Sequence, residues 1–185
     1  EQAGLMGLLS RYVIEKAFAL LVKFAAEGWP VSISINLSIQ NLMDPGIVHH
    51  VRSAAASAGI DLRNVVFEVT ETFVSEDMDL VVENVRQLAA TGCCIALDDF
   101  GTGYSSLAYL SRLPIHELKI DRSFVGQMNR SESDFRIVEN TLKLAGALQI
   151  QTVAEGVEDA ATLERITRLG CDGVQGYFIA RPMPF

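Results

Sequence analysis

A parallel α/β barrel, incomplete at about six of eight strands, is the fold class this sequence predicts, and three observations predict it. Short β-branched runs alternate with longer segments in which apolar residues recur at helical spacing. The runs are nearly continuous in apolar residues, as in strands buried on both faces. Five of them end on a polar residue suited to holding metal or phosphate, and a sixth does so more weakly. A parallel barrel builds its active site at such strand ends.

In order, residues 5–27 read as a helix whose stripe runs through Leu8, Leu9, Tyr12, Val13, Ala17, Leu20, Leu21 and Phe24, stopped by Gly28-Trp29-Pro30. A strand over 31–37 follows, then a helix at about 46–58 ended by Gly59. Next come a strand over 65–70, a helix at about 77–91 ended by Gly92, and a strand over 94–98 leading into a glycine-rich loop. The remainder reads as a short helix near 105–112, a strand over 117–120, a helix near 132–148, a strand over 151–154, a helix near 159–169 and a short strand near 173–177.

Six strands also fit an open doubly wound sheet. That fold concentrates ligand groups at one switch point, often behind a GxGxxG turn. No such turn occurs here, and the polar endings are spread over every strand. The 185 residues are enough for one substantial core, so residues 1–185 read as a single domain.

A net charge of -8 argues against a surface that holds long nucleic acid. A phosphate ligand would instead need divalent cations to reverse the sign of the pocket. Cys93, Cys94 and Cys171 are odd in number and form no CxxC pair, which reads as reduced, packed thiols of a cytoplasmic protein. No run reaches the roughly 18 apolar residues of a membrane span and no signal sequence opens the chain, so no membrane contact is expected of this segment.

The endings are Ile33-Ser34-Ile35-Asn36, Val65-Val66-Phe67-Glu68-Val69-Thr70-Glu71, Leu97-Asp98-Asp99-Phe100-Gly101-Thr102-Gly103, Glu117-Leu118-Lys119-Ile120-Asp121, Thr152-Val153-Ala154-Glu155-Gly156 and Gly173-Val174-Gln175-Gly176-Tyr177. Singly, Asn36 would be a turn cap, Glu68 an ion-pair partner, Asp98-Asp99 a helix cap and Lys119 a solvated lysine. Capping does not demand acids and one lysine at successive strand ends, so their joint occurrence favours a site. Adjacent aspartates in a strand point to opposite faces, so Asp98 and Asp99 share one site only if the strand turns there, as Gly101 and Gly103 allow. His49 and His50 fall on a helix and read as surface residues. Phe100, Tyr104, Tyr109, Phe124, Tyr177 and Phe178 read first as core aromatics.

Asn36 in SINLS, Glu68 and Glu71 in EVTE, DDFGTGYSSL at 98–107, LKIDRSFV at 118–125, TVAEGVE at 152–158 and GVQGYFIARPMP at 173–184 together resemble the EAL family of cyclic di-GMP phosphodiesterases. The Glu-Ala-Leu tripeptide that names the family does not occur in these residues. Glu1-Gln2-Ala3-Gly4-Leu5 resembles the segment that follows it, so the chain resembles an EAL domain without its first strands.

The resemblance implies hydrolysis of cyclic di-GMP to linear pGpG in bacterial signalling, with two Mg²⁺ or Mn²⁺ ions about 3.5–4 Å apart. Hard oxygen donors suit those ions. It makes Asn36, Glu68 and Asp98 ligands of a first metal together with the name-giving glutamate, and Asp98 and Asp99 the residues that bring in a second. Glu155 and Gln175 would bind the second metal or its waters, Asp121 would lie close by, and Arg181-Pro182 would form a lip of the substrate cleft. Lys119, Glu155 and Asp99 are the candidates for the chemical step, Lys119 orienting the water, and Glu71 would anchor the loop after Asp99.

With one metal-ligand glutamate outside these residues, the segment alone is expected to be inactive or nearly so. Exposed strand edges would drive self-association, as a homodimer or larger. Flanking GGDEF or sensory domains and a membrane tether elsewhere in the protein fit the same family. The alternative reading is a non-catalytic module that binds cyclic di-GMP or dimerises. A metal-dependent aldolase or enolase-like barrel fits the strand-end acids but not the motif order.

Overall fold

The computed structural model describes residues 2–70, 78–102 and 112–183. The fold is α/β, with six strands that are neighbours in one sheet in chain order, β1 Ile33–Leu37, β2 Val65–Thr70, β3 Cys94–Phe100, β4 Glu117–Ile120, β5 Gln151–Ala154 and β6 Gly173–Val174. The order never reverses, as successive strands of a barrel require. A doubly wound sheet turns back at a switch point.

The chain divides into two compact units, Glu1–Ala96 with Ser106–Pro114, and Leu97–Ser105 with Ile115–Phe185. In the first, α1 spans Gln2–Ala26 and buries Ile14, Ala17, Phe18 and Leu21, spaced as one helical face. This shifts the expected stripe: Leu8, Leu9, Tyr12 and Val13 are exposed. β1 and β2 are parallel, in a register that sets Asn36 opposite Glu68.

Between these strands lie α2, Ile39–Leu42, and α3, Ile47–Ala58. The four residues of α2 are too few to show periodicity, but Ser38 and Asn41 close a capping box around them. α3 ends at Gly59, which takes φ +68°, as expected of that glycine. α1 is fastened to this stretch by a hydrogen bond from Ser10 Oγ to Asn41 Oδ1 at 3.0 Å and an ion pair of Arg11 with Asp44 at 2.9 Å. His50 is half-buried, not a surface residue, with Nε2 3.9 Å from Glu15 Oε1. α4, Met78–Ala89, carries buried Asn84, whose amide donates to the Leu42 carbonyl at 2.7 Å.

In the second unit β4, β5 and β6 are parallel, with Lys119 opposite Val153 and Ala154 opposite Val174. A four-residue helix, α5 Arg122–Val125, follows β4 and is capped by Asp121. α6, Glu132–Leu148, is capped by Ser131, and α7, Ala160–Arg168, by Asp159. β3 runs two residues past the expected 94–98, and β6 stops short of the expected 177. β6 ends early at the carbonyl of Gln175: its N–H still makes the ladder bond to the Ala154 carbonyl at 2.8 Å, but its carbonyl accepts from Val157 N–H at 3.0 Å, one residue beyond the position a continuing ladder would use. The expected helix near 105–112 falls almost wholly outside the described residues, as does the start of the helix expected from 77.

Candidate functional site

Within the second unit, the ends of β3 and β4 and the residue after β5 bring Asp98, Lys119 and Glu155 together. Lys119 Nζ lies 3.1 Å from Asp98 Oδ1 and 2.7 Å from Glu155 Oε1, and the Lys119 side chain is only 5% exposed. A lysine this deeply placed must be paired, because moving an ammonium out of water costs several kcal/mol. Here the β4 ladder carries Lys119 between buried Leu118 and Ile120, and carboxylates from both sides complete its surroundings.

Asp99 joins the cluster through a backbone feature. Its φ is +55°, so the chain turns at the second aspartate itself, ahead of Gly101 at φ +100°. Asp tolerates the left-handed region better than most residues, and Thr102 holds the turn by donating its N–H and Oγ–H to the Asp99 carbonyl at 3.3 and 2.9 Å. A Cβ on Gly101 would come within 2.9 Å of the Phe124 ring, so the residue must be glycine for packing as well as for φ. Carboxylate oxygens of Asp98, Asp99 and Glu155 all lie within 4.8 Å of one another.

Burial, and then the charges of Asp98 and Asp121, raise the Asp99 carboxyl above its ordinary value, and Asp99 hydrogen-bonds the Asp121 side chain. For Asp121 burial pushes upward too, but the Ser123 hydroxyl and N–H, together with Asp99 and the Arg122 N–H, outweigh it and hold the group below its ordinary value. Ser123 donates its N–H to Asp121 Oδ1 at 3.0 Å, and its hydroxyl donates to the same oxygen. The two neighbouring aspartates are thus shifted in opposite directions.

Backbone contacts help to position the loop after β5. Glu155 N–H donates to the Ile120 carbonyl at 3.1 Å. Gly156, at φ +68°, lies against Arg122 of α5, where a Cβ would be 2.4 Å from Arg122 Cβ. Gly176 lies against Val157, where a Cβ would be 2.2 Å from the carbonyl oxygen. Asp172 fixes the entry to β6 by accepting from Thr152 N–H and Oγ–H, each at 2.8 Å. None of Ser123, Asp172, Gly156 or Gly176 was singled out as support from sequence, although Asp121-x-Ser123 is a recognisable cap pattern.

The other predicted site residues fall as follows. In the first unit, Glu68 is buried at 6% exposure, while Asn36 opposite it is exposed. Gln175 has an exposed side chain, though its backbone is bonded to both ends of the β5 loop. Arg181 and Pro182 are exposed, with the Arg181 guanidinium over the Tyr177 ring at 5.2 Å. Glu71, Gly103, Tyr104 and Tyr109 lie outside the described residues. Phe100 is a core aromatic as expected, whereas Tyr177 and Phe178 are exposed.

The donor set suits a hard divalent cation: three carboxylates, without sulfur or imidazole. Asp98 Oδ1 is buried and receives no well-formed hydrogen bond among the described residues, although the Lys119 ammonium stands beside it. That oxygen retains the lone-pair capacity a metal would use.

A sheet with barrel order and a carboxylate cluster with one buried lysine at its strand ends define a class of acid-lined α/β domain. The chain belongs to the EAL domain family, whose model matches residues 1–182. It is 39% identical over its full length to the bifunctional diguanylate cyclase/cyclic di-GMP phosphodiesterase MucR of Pseudomonas aeruginosa, and 35% identical to the cyclic di-GMP phosphodiesterase NbdA of the same organism. The chain spans 27% and 24% of those two proteins, about a quarter of the curated relatives it matches. Among solved structures it resembles the PaMucR phosphodiesterase in complex with c-di-GMP, at 39% identity and a TM-score of 0.92, covering all of this chain and 75% of that one. It also resembles the EAL domain of Mycobacterium smegmatis DcpA, at 36% identity and a TM-score of 0.90, covering 95% of this chain and 79% of that one. Among the described residues no helix is long and apolar enough to cross a membrane.

Proposed function

We propose that a protein carrying this chain hydrolyses cyclic di-GMP to linear pGpG with Mg²⁺ or Mn²⁺. The observation that carries the reading is the convergence of the Asp98, Asp99 and Glu155 carboxylates, two of which, Asp98 and Glu155, pair with buried Lys119. Asn36, Glu68, Asp98, Asp99, Glu155 and Gln175 are the residues that would hold the metals. Bound metal supplies an ionised water at neutral pH and offsets charge on the phosphoryl oxygens. Lys119 orients that water and contributes positive charge toward the phosphate. Asp121, braced by Ser123, lies beside the Asp99 carboxyl. Arg181 and Pro182 border the cleft on the side of β6, Glu71 anchors the loop after Asp99, and residues 1–185 act as one domain.

The test is Mn²⁺-dependent opening of cyclic di-GMP by a longer protein that carries these residues behind a Glu-Ala-Leu strand, followed chromatographically. Asp98→Asn is expected to lower the rate by at least about a hundredfold. Metal-dependent binding of the dinucleotide with no cleavage would sink the hydrolytic reading and leave a binding module in its place. The same proposal places the chain in a multidomain cytoplasmic signalling protein that self-associates, which sedimentation of the longer protein would check.

A further inference from the structure

We infer that Lys119 is the resident counter-cation of the carboxylate cluster, and that a divalent metal must displace its ammonium to bind. This rests on the metal-binding part of the function proposed above. Two of the three carboxylates that converge here, Asp98 and Glu155, are those that Lys119 Nζ contacts, at 3.1 and 2.7 Å. One ammonium and one divalent ion therefore address the same two carboxylates.

Two consequences follow from Coulomb's law. Without metal, the cluster holds its acids together because an internal cation compensates them, so the site is assembled before metal arrives. With metal, the ammonium is a like charge a few ångströms away, which weakens binding relative to a site without it. Lys119 thus trades metal affinity for a site that is already formed, and the displaced ammonium becomes available to a phosphate. The lysine is a positioning residue for the empty site as well as a candidate for the chemical step.

Mn²⁺ is titrated calorimetrically into the longer protein that carries these residues behind a Glu-Ala-Leu strand and into its Lys119→Gln, Lys119→Arg and Asp98→Asn variants, with circular dichroism to verify folding. Lys119→Gln is expected to bind Mn²⁺ about tenfold or more tightly than wild type, and to melt lower without metal. Lys119→Arg is expected to bind no more tightly than wild type, and Asp98→Asn to lose binding. A Lys119→Gln affinity equal to or weaker than wild type, with Asp98→Asn still abolishing binding, overturns the inference while leaving the metal site standing. Failure of every form to bind Mn²⁺ overturns the metal reading and the inference with it. If Lys119→Gln does not fold, the wild-type protein decides: the Lys119 side-chain ammonium signal by NMR is expected to shift on saturation with diamagnetic Mg²⁺, and an unchanged signal overturns the displacement.

Discussion

Lys119 Nζ stands 2.7 Å from Glu155 Oε1, although one residue lies within β4 and the other just beyond β5. Both are largely withdrawn from solvent, at 5% and 17% side-chain exposure, so the pair is only weakly screened. Glu155→Gln keeps the shape and removes the charge. We expect the rate of cyclic di-GMP opening by the longer protein to fall by about a hundredfold or more. Retention of activity within about threefold would remove Glu155 from the proposed machinery.

Gly176 has no room for a side chain, since a Cβ would meet the Val157 carbonyl oxygen at 2.2 Å and its nitrogen at 2.4 Å. Both obstructing atoms are backbone and cannot rotate away. Gly176→Ala is expected to destabilise the chain by about 2–3 kcal/mol, read as a lower urea midpoint. Because Val157 closes the loop that carries Glu155, metal binding is expected to weaken as well.

Asn84 is buried at 3% exposure and donates to the carbonyls of Leu42 and Asp44, at 2.7 and 3.3 Å. The Leu42 carbonyl closes α2, where the helix itself offers no donor, while the Asp44 carbonyl also accepts from Ile47 N–H at 3.1 Å. Asn84→Ala leaves both without that donor and opens a small cavity, at an expected cost of about 1–3 kcal/mol in chemical denaturation.

Asp44 is held below its ordinary value of 3.8 chiefly by the hydrogen bond from Arg11, and next by the Gly46 N–H. A carboxylate with a lowered folded value contributes stability that is fully present above the unfolded value of 3.8 and is lost as pH falls through the folded one. Amide exchange in the Ser10–Ile14 stretch of α1 is therefore expected to quicken below about pH 4 in wild type. Asp44→Asn is expected to exchange fast at neutral pH already, so the two curves converge in acid. Parallel curves at every pH would show that the Arg11–Asp44 pair does not secure α1.

Much of the scaffold was legible in the chain. Helix ends were readable where glycine closes a helix, as at Gly59, and strand identity where β-branched runs such as Val65-Val66-Phe67 sit between turn signals. The one-turn helices Ile39–Leu42 and Arg122–Val125 were missed, because four residues are about one helical period and show no repeat. The buried face of α1 was read only in part: Ala17 and Leu21 were placed on it, but Ile14 and Phe18 were not, because apolar residues line nearly the whole circumference and spacing alone did not select them over Leu8, Leu9, Tyr12 and Val13. The early end of β6 was hidden too, since it depends on Val157, eighteen residues upstream of Gln175.

On its own, the sequence determined which chemistry the chain can offer: hard oxygen donors and one lysine at successive strand ends, within motifs that place it in the EAL family. Side-chain type and short-range periodicity are local properties, written residue by residue. Tertiary structure alone decided that Lys119 is buried against Asp98 and Glu155, that the chain turns at Asp99 itself, and that Gly156 and Gly176 must stay bare. Those facts arise from contacts between residues tens of positions apart, and the free energy of a paired or unpaired buried charge depends on the neighbours that folding brings to it.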